Sequence, residues 1–249
     1  MMKTLENQTL LYDEDCPLCR VYTSGFIKAG MLDENGKKPY CQLSDEEQNF
    51  IDVKRASNEI ALVDNENKTV IYGIDSLLKV IGYSFPWMAK IGNLKPIKFF
   101  LKKLYSFISY NRKVMIPSKI KKEIKLQCVP DFNFKYRILY ILFAVVSSSL
   151  LLNKFNDNLT ILKTILFTTV LILIQSIILF KFSKKIMLSY IGNFTTSILF
   201  GTLLLLPIIV LKSFINIPEN TFHFYFCFII SITIIDIVRR IQIIKFNLK

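Results

Sequence analysis

The stretch Leu10-Leu11-Tyr12-Asp13-Glu14-Asp15-Cys16-Pro17-Leu18-Cys19-Arg20 decides how the first half of the chain is read. Residues 9–12 are short, apolar and β-prone, and they stop at three consecutive acids. A Cys-x-x-Cys follows at once, and Val21, Tyr22, Phe26 and Ile27 then recur at helical spacing. The pattern predicts strand, acidic turn, dithiol, helix. Unpaired N–H groups and the positive end of the dipole at a helix start favour a thiolate over a thiol. Cys16 is therefore the expected attacking sulfur and the more exposed of the pair, with Cys19 resolving. Asp13, Glu14 and Asp15 work against this, because nearby negative charge raises a thiol pKa. Asp15 is the expected cap of the helix.

Asp13-x-x-Cys16-x-x-Cys19 resembles the signature of the DCC family, named for its Asp-x-x-Cys-x-x-Cys motif and described as thiol-disulfide oxidoreductases with a thioredoxin-like fold. Residues 12–20 carry the likeness. It continues more loosely through Tyr72-Gly73-Ile74-Asp75-Ser76-Leu77-Leu78 and into Asn111-Arg112, so it covers residues 8–115, less than half the chain. The resemblance implies attack by Cys16 on a disulfide, a mixed disulfide, and displacement by Cys19. Asp13 would move a proton or hold the turn.

The rest of that half reads as a small α/β domain. Pro39-Tyr40-Cys41-Gln42-Leu43 is a candidate second strand, and Ser44-Asp45-Glu46-Glu47 a helix start with acids in its first turn, the helix running to Ala56. Residues 59–63 and 69–72 are strand candidates around a hairpin turn at 64–67, and a helix over 75–81 ends at Gly82. The order βαβαββα suits a thioredoxin-like fold, and other small α/β sandwiches as well. No proline precedes the strand at Glu59, where the loop facing a thioredoxin dithiol holds one; this weakens the inference of disulfide exchange on protein substrates. Residues 85–88 form an apolar turn. Residues 93–110 form an amphipathic helix with Leu94, Ile97, Leu101, Leu104, Tyr105 and Ile108 on one side and lysines elsewhere. That face either packs on the domain or lies on a bilayer with lysines at the headgroups.

Hydrophobic residues make up 52% of the 249, an excess concentrated after residue 136. The reading is a thioredoxin-like domain at 1–115, a basic connector at 116–135 with Lys119, Lys121, Lys122 and Lys125, and a transmembrane domain at 136–249. Four segments, near 136–152, 159–180, 190–211 and 222–238, approach the ~20 apolar residues a spanning helix needs. They make a four-helix transmembrane bundle. The net charge of +13 collects before and between these segments, which suits a membrane surface, and no nucleic-acid-reading module accompanies it. Arg137, Lys181, Lys184, Lys185, Arg239 and Arg240 fall on one side, so the positive-inside rule puts both termini in the cytoplasm. The N-terminus lacks the apolar core of a signal peptide. The expected setting is a bacterial inner membrane. Within the segments, Pro207 predicts a kink, Gly192 and Gly201 close helix contact, and Asp236 local pairing with Arg239 and Arg240.

The dithiol is the reactive constellation. One histidine, His223, placed across the membrane from Cys16, excludes a Cys-His hydrolase. Neither a cofactor nor a metal is expected. The alternatives are a metal site built from Cys16, Cys19, Cys41 and Cys128, whose spacing matches no regular zinc module, and a membrane-anchored binding module with inert cysteines. Cys128 is either structural or a third thiol taking electrons from the pair. The expected partners are a lipid bilayer and a thiol or disulfide, protein or small molecule. Substrate, electron donor and oligomeric state are not legible.

Overall fold

In the computed structural model the strand ahead of the dithiol is β1 (Gln8–Tyr12) and the helix after it is α1 (Pro17–Lys28). The structure describes residues 3–119, 126–155, 160–212, 214–215 and 218–248; Lys121, Lys122 and Lys125 of the expected connector lie outside them. The chain divides into two units, Met1–Phe132 and Asn133–Lys249.

In the first unit, β1 pairs in parallel with β2 (Lys37–Pro39) and antiparallel with β3 (Ala61–Asp64), which pairs antiparallel with β4 (Thr69–Tyr72). The order β2-β1-β3-β4 is a mixed four-stranded sheet, as the thioredoxin-like expectation requires. The central strands bury both faces, so their apolar residues run on continuously. Leu10 and Leu62 enter one core with Leu5, Leu32, Ile60 and Val80, whereas Leu11, Ala61 and Val63 enter the other with Tyr40, Leu43 and Ile51.

Several boundaries differ from the sequence reading. The second strand ends at Pro39, and residues Tyr40–Gln42 form a 3-10 turn instead of a strand. A short Lys-Lys-Pro strand at a sheet edge is how proteins blunt such edges, and it stops where a proline removes the donor. The single helix expected after Ser44 is two: α2 (Asp45–Gln48), closed by a Ser44–Glu47 capping box, and α3 (Val53–Asn58), restarted by the Asp52 side chain accepting the Arg55 N–H at 2.9 Å. Ile51, between them, is buried in the core. The next helix, α4 (Ile74–Ser84), runs straight through Gly82, which lets Ala89 pack against its backbone. The expected apolar turn is α5 (Pro86–Gly92), opened by a proline at its first position.

The long helix α6 (Lys95–Met115) only partly follows its expected face. Tyr105 packs with the core and Ser109 and Arg112 are buried, but Leu94, Leu104 and Ile108 stay exposed. Phe99 and Phe100 point outward as well.

The second unit holds α7 (Phe134–Phe155), α8 (Ile161–Ile178), α9 (Lys184–Leu203), α10 (Leu206–Lys212) and α11 (Glu219–Leu248). Among the described residues they supply four helices long and apolar enough to cross a membrane: Phe134–Phe155, Ile161–Ile178, Lys184–Lys212 and Asn220–Asn247. The third is interrupted at residues 204–205, just before Pro207, whose missing N–H cannot continue the ladder. The fourth runs beyond 238 because Arg239 and Arg240 continue the helix. Helix α9 packs on α7 and α11. Its Thr195 and Thr196 donate back to the carbonyls of Ile191 and Gly192, so their hydroxyls are satisfied within the helix. Gly201 makes room for Thr233 of α11.

Candidate functional site

The dithiol is built by the turn between β1 and α1. The Asp13 carbonyl accepts the Cys16 N–H at 3.1 Å, and Asp13 Oδ1 accepts the Asp15 N–H at 3.0 Å. The Cys16 carbonyl accepts the Arg20 N–H, which starts α1. The N-cap of that helix is thus Cys16, not Asp15, and Pro17 occupies its first position. The first sulfur sits where the helix leaves its first N–H groups without intrahelical partners. Cys19 follows one turn later, and its carbonyl accepts the Thr23 hydroxyl at 2.7 Å.

Cys16 is not the exposed sulfur. It is 1% exposed and Cys19 8%. Cys19 lines a cavity of about 210 Å³ whose other walls include Leu18, Tyr22, Ile60, Tyr105 and Ile108. Residues of α6 and Cys128, remote in sequence from the motif, complete the lining of that cavity.

The acids of the motif do not act alike. Asp13 is buried and faces two cations, Lys113 Nζ at 2.9 Å and Arg112 Nε at 3.4 Å. Arg112, itself buried, reaches on with its other nitrogens. Nη2 donates to the Ser57 carbonyl at 2.8 Å, and Nη1 to Ser109 Oγ at 3.1 Å and to the Asn58 carbonyl at 3.3 Å. Nη2 also lies 3.3 Å from Cys128 Sγ. Arg112 thereby caps the last carbonyls of α3, where a cation is favoured, and joins that end to Asp13 and to the chain near Cys128. Glu14 turns instead to Cys41, whose Sγ lies 3.4 Å from Glu14 Oε2.

These contacts set the state of the pair. The Cys16 thiol is lowered to about 6, first by a hydrogen bond from the Cys19 thiol, helped by the Cys19 backbone N–H and the Arg112 charge, against burial and Asp13. Cys19 is raised by holding that proton and by burial. Burial pushes Cys128 up to about 12, which leaves it a thiol at neutral pH. Cys16 is thereby held toward the thiolate at neutral pH, where an ordinary cysteine is mostly protonated. The rate at which iodoacetamide alkylates Cys16 is accordingly expected to rise between about pH 5 and 7 and then level off, where an ordinary cysteine keeps climbing past about pH 8. Because the folded pKa lies below the unfolded one, the thiolate stabilises the fold most above the unfolded value. That contribution is lost as pH falls through about 6. Mass-spectrometric alkylation kinetics across pH check this.

The cysteines expected as an alternative metal site are not gathered. Among the described residues no group of three or more His, Cys, Asp or Glu side chains is placed to hold a metal ion. All five cysteines are free, and Cys227 is exposed on α11. What the sequence reading missed is Arg112, Lys113 and Tyr105; its one signal was the Asn111-Arg112 pair. Tyr105 Oη accepts the Ile60 N–H at 2.7 Å, and the Ile60 carbonyl accepts the Gly73 N–H at 2.8 Å. Gly73 has φ +65°, and a Cβ there would come 2.8 Å from Glu59 Oε2, so glycine is required at this close approach.

Residues 10–116 match the family model described as DCC1-like thiol-disulfide oxidoreductase. No curated protein and no solved structure matches the chain.

Proposed function

With its N-terminal domain in the DCC1-like family, we propose that this chain is a membrane-anchored thiol-disulfide oxidoreductase whose Cys16–Cys19 pair works on the cytoplasmic side of the membrane. The observation that carries this is the placement of Cys16 at the N-cap of α1, with Cys19 one turn on and the Arg112 charge held beside them by Asp13. Cys16 is the thiolate that attacks, and Cys19 closes the disulfide. Asp13 is the positioning residue: it holds the turn and anchors Arg112.

Free-thiol titration of the purified full chain tests this. Mild oxidation is expected to remove one pair of thiols per chain reversibly, and either Cys16→Ser or Cys19→Ser to abolish that closure. A pair that does not close, or zinc retained in stoichiometric amount, overturns the reading.

The cytoplasmic placement rests on Lys184, Lys185, Arg239 and Arg240 lying at the same side of the second unit's spans as the N-terminal domain's connection. A reporter fused after Lys249 is expected to be active only in a form that works in the cytoplasm. Activity of an exported form reverses the topology.

A further inference from the structure

The cavity against the dithiol points to the kind of molecule the pair handles. Its walls are mostly apolar, among them Leu18, Tyr22, Leu77 and Ile108; Cys19 and Cys128 are the sulfurs on it, with Arg112 offset by Asp13 and Glu59 as its charges, and Cys16 lies behind Cys19, off the lining. At about 210 Å³ it admits a small molecule, and nothing larger can reach sulfurs that are 1% and 8% exposed without opening the domain. The backbone beside it is already engaged. The Ile60 N–H donates to Tyr105 and the Ile60 carbonyl accepts from Gly73, so a substrate chain cannot dock there by strand-like hydrogen bonds. We infer that the substrate is a small, neutral, largely apolar disulfide that enters this cavity past Cys19, and not a disulfide of a folded protein.

The inference rests on the dithiol reading above. The Cys16 thiolate bonds to one substrate sulfur, the substrate S–S bond breaks, and the other half leaves as a thiolate. That leaving group takes the Cys19 proton. The Cys19 sulfur then displaces the remaining half from Cys16, which leaves as a thiolate and is protonated by water. The dithiol is oxidised by two electrons and the substrate is reduced to two thiols.

The test is the rate at which the reduced full chain in detergent reacts with diethyl disulfide, whose alkyl leaving group is matched to that of cystine, and with the disulfides of insulin, each corrected by the Cys16→Ser variant. The small disulfide is expected to react about 100-fold faster, because insulin must wait for local opening. Ile108→Trp, which fills the cavity, is expected to slow it about tenfold while diamide still closes the pair. Equal or faster reaction with insulin, or an Ile108→Trp variant that keeps the parent rate, overturns the substrate class. Failure of diamide to close the pair in the parent chain overturns the dithiol reading itself.

A separate observation carries a second inference. Trp87 of α5 and Phe99 and Phe100 of α6 are 60%, 66% and 64% exposed, with Met88, Ile91 and Leu94 exposed around them. Residues 76–122 contain no acid, and Lys90, Lys95 and Lys103 are interleaved with these apolar side chains, while Lys98 and Lys102 pair with Asp75 at 2.7 and 3.4 Å. An apolar patch of this kind on a domain carried by four membrane-length helices matches an anionic lipid surface in both chemistry and charge. The geometry points to the α5–α6 face entering the headgroup layer of the bilayer. Trp87 is the chain's one tryptophan, so its fluorescence reads this face alone. In vesicles of equal phosphatidylcholine and phosphatidylglycerol, brominated lipid is expected to quench Trp87 strongly, less so without phosphatidylglycerol and less so in Phe99→Ser/Phe100→Ser. Emission that is water-like and open to iodide overturns the docking. So does emission shielded from both quenchers, which would place a protein surface over the patch.

Discussion

Arg112→Ala is expected to destabilise the N-terminal domain by about 3 kcal/mol, the lower end of what removing one partner of a buried ion pair costs. The guanidinium is buried and touches three elements at once: the Ser57 and Asn58 carbonyls at the end of α3, Asp13 in the dithiol turn, and Cys128. Removing it takes the charged donor from both carbonyls, leaving the Asn58 carbonyl with the Ser109 hydroxyl and the Ser57 carbonyl with the weak Cys128 thiol, and leaves Lys113 as the one cation at Asp13. Arg112→Lys keeps the charge but offers one nitrogen where a planar fork is used, so a smaller, still clear loss is expected. Urea unfolding of the reduced chain, followed by a probe in this domain, measures both. The alkylation midpoint of Cys16 is expected to move upward in Arg112→Ala, since the arginine charge is among the groups lowering it. A loss below about 1 kcal/mol, the level of a surface ion pair, would mean that Arg112 does not hold these elements together.

The same residue explains where sequence reading stopped. The strand, turn, dithiol and helix of residues 8–28 were legible because each is decided locally: β-prone residues, a proline at the first helical position, an apolar repeat of helical period. The exposure of Cys16 was not local. The motif contains no trace of α6 and Cys128, which wall the cavity at Cys19 from far along the chain. Asp13 illustrates the point most sharply. As one of three acids it reads as an obstacle to a thiolate, and it does oppose one, but in the fold it also faces Arg112 and Lys113, and Arg112 lowers the same thiol. The residues at 39–43 alternate as a strand would, but the edge position and Pro39 decide otherwise. The apolar helices of the second half were legible by composition alone, since length and hydropathy suffice.

Asp236→Ala is expected to destabilise the second unit by about 3–5 kcal/mol. The sequence pairs Asp236 with the two arginines that follow it on α11, and Oδ1 indeed accepts Arg239 Nη2 at 2.7 Å and Oδ2 accepts Arg240 Nε at 2.6 Å. The larger consequence lies across the helix interface. Oδ2 also accepts the Ser197 hydroxyl of α9 at 2.8 Å, and Arg240 Nη1 donates to Asn193 Oδ1 at 3.3 Å. The acid, Arg240, Ser197 and Asn193 are all buried, so this is a polar bridge between α9 and α11 in surroundings that carry little water. Alanine removes the counter-charge of a buried arginine and the acceptor of a buried hydroxyl in one step. Asp236→Asn keeps the acceptor and is expected to lose less. The double variant Asp236→Leu/Arg240→Met, which removes both charges, is expected to recover most of the stability, because a buried pair exchanged for apolar side chains is near neutral. Thermal unfolding of the full chain in detergent ranks the three. If the double variant is no more stable than Asp236→Ala, the bridge contributes through its hydrogen bonds to Ser197 and Asn193, not through balanced charge.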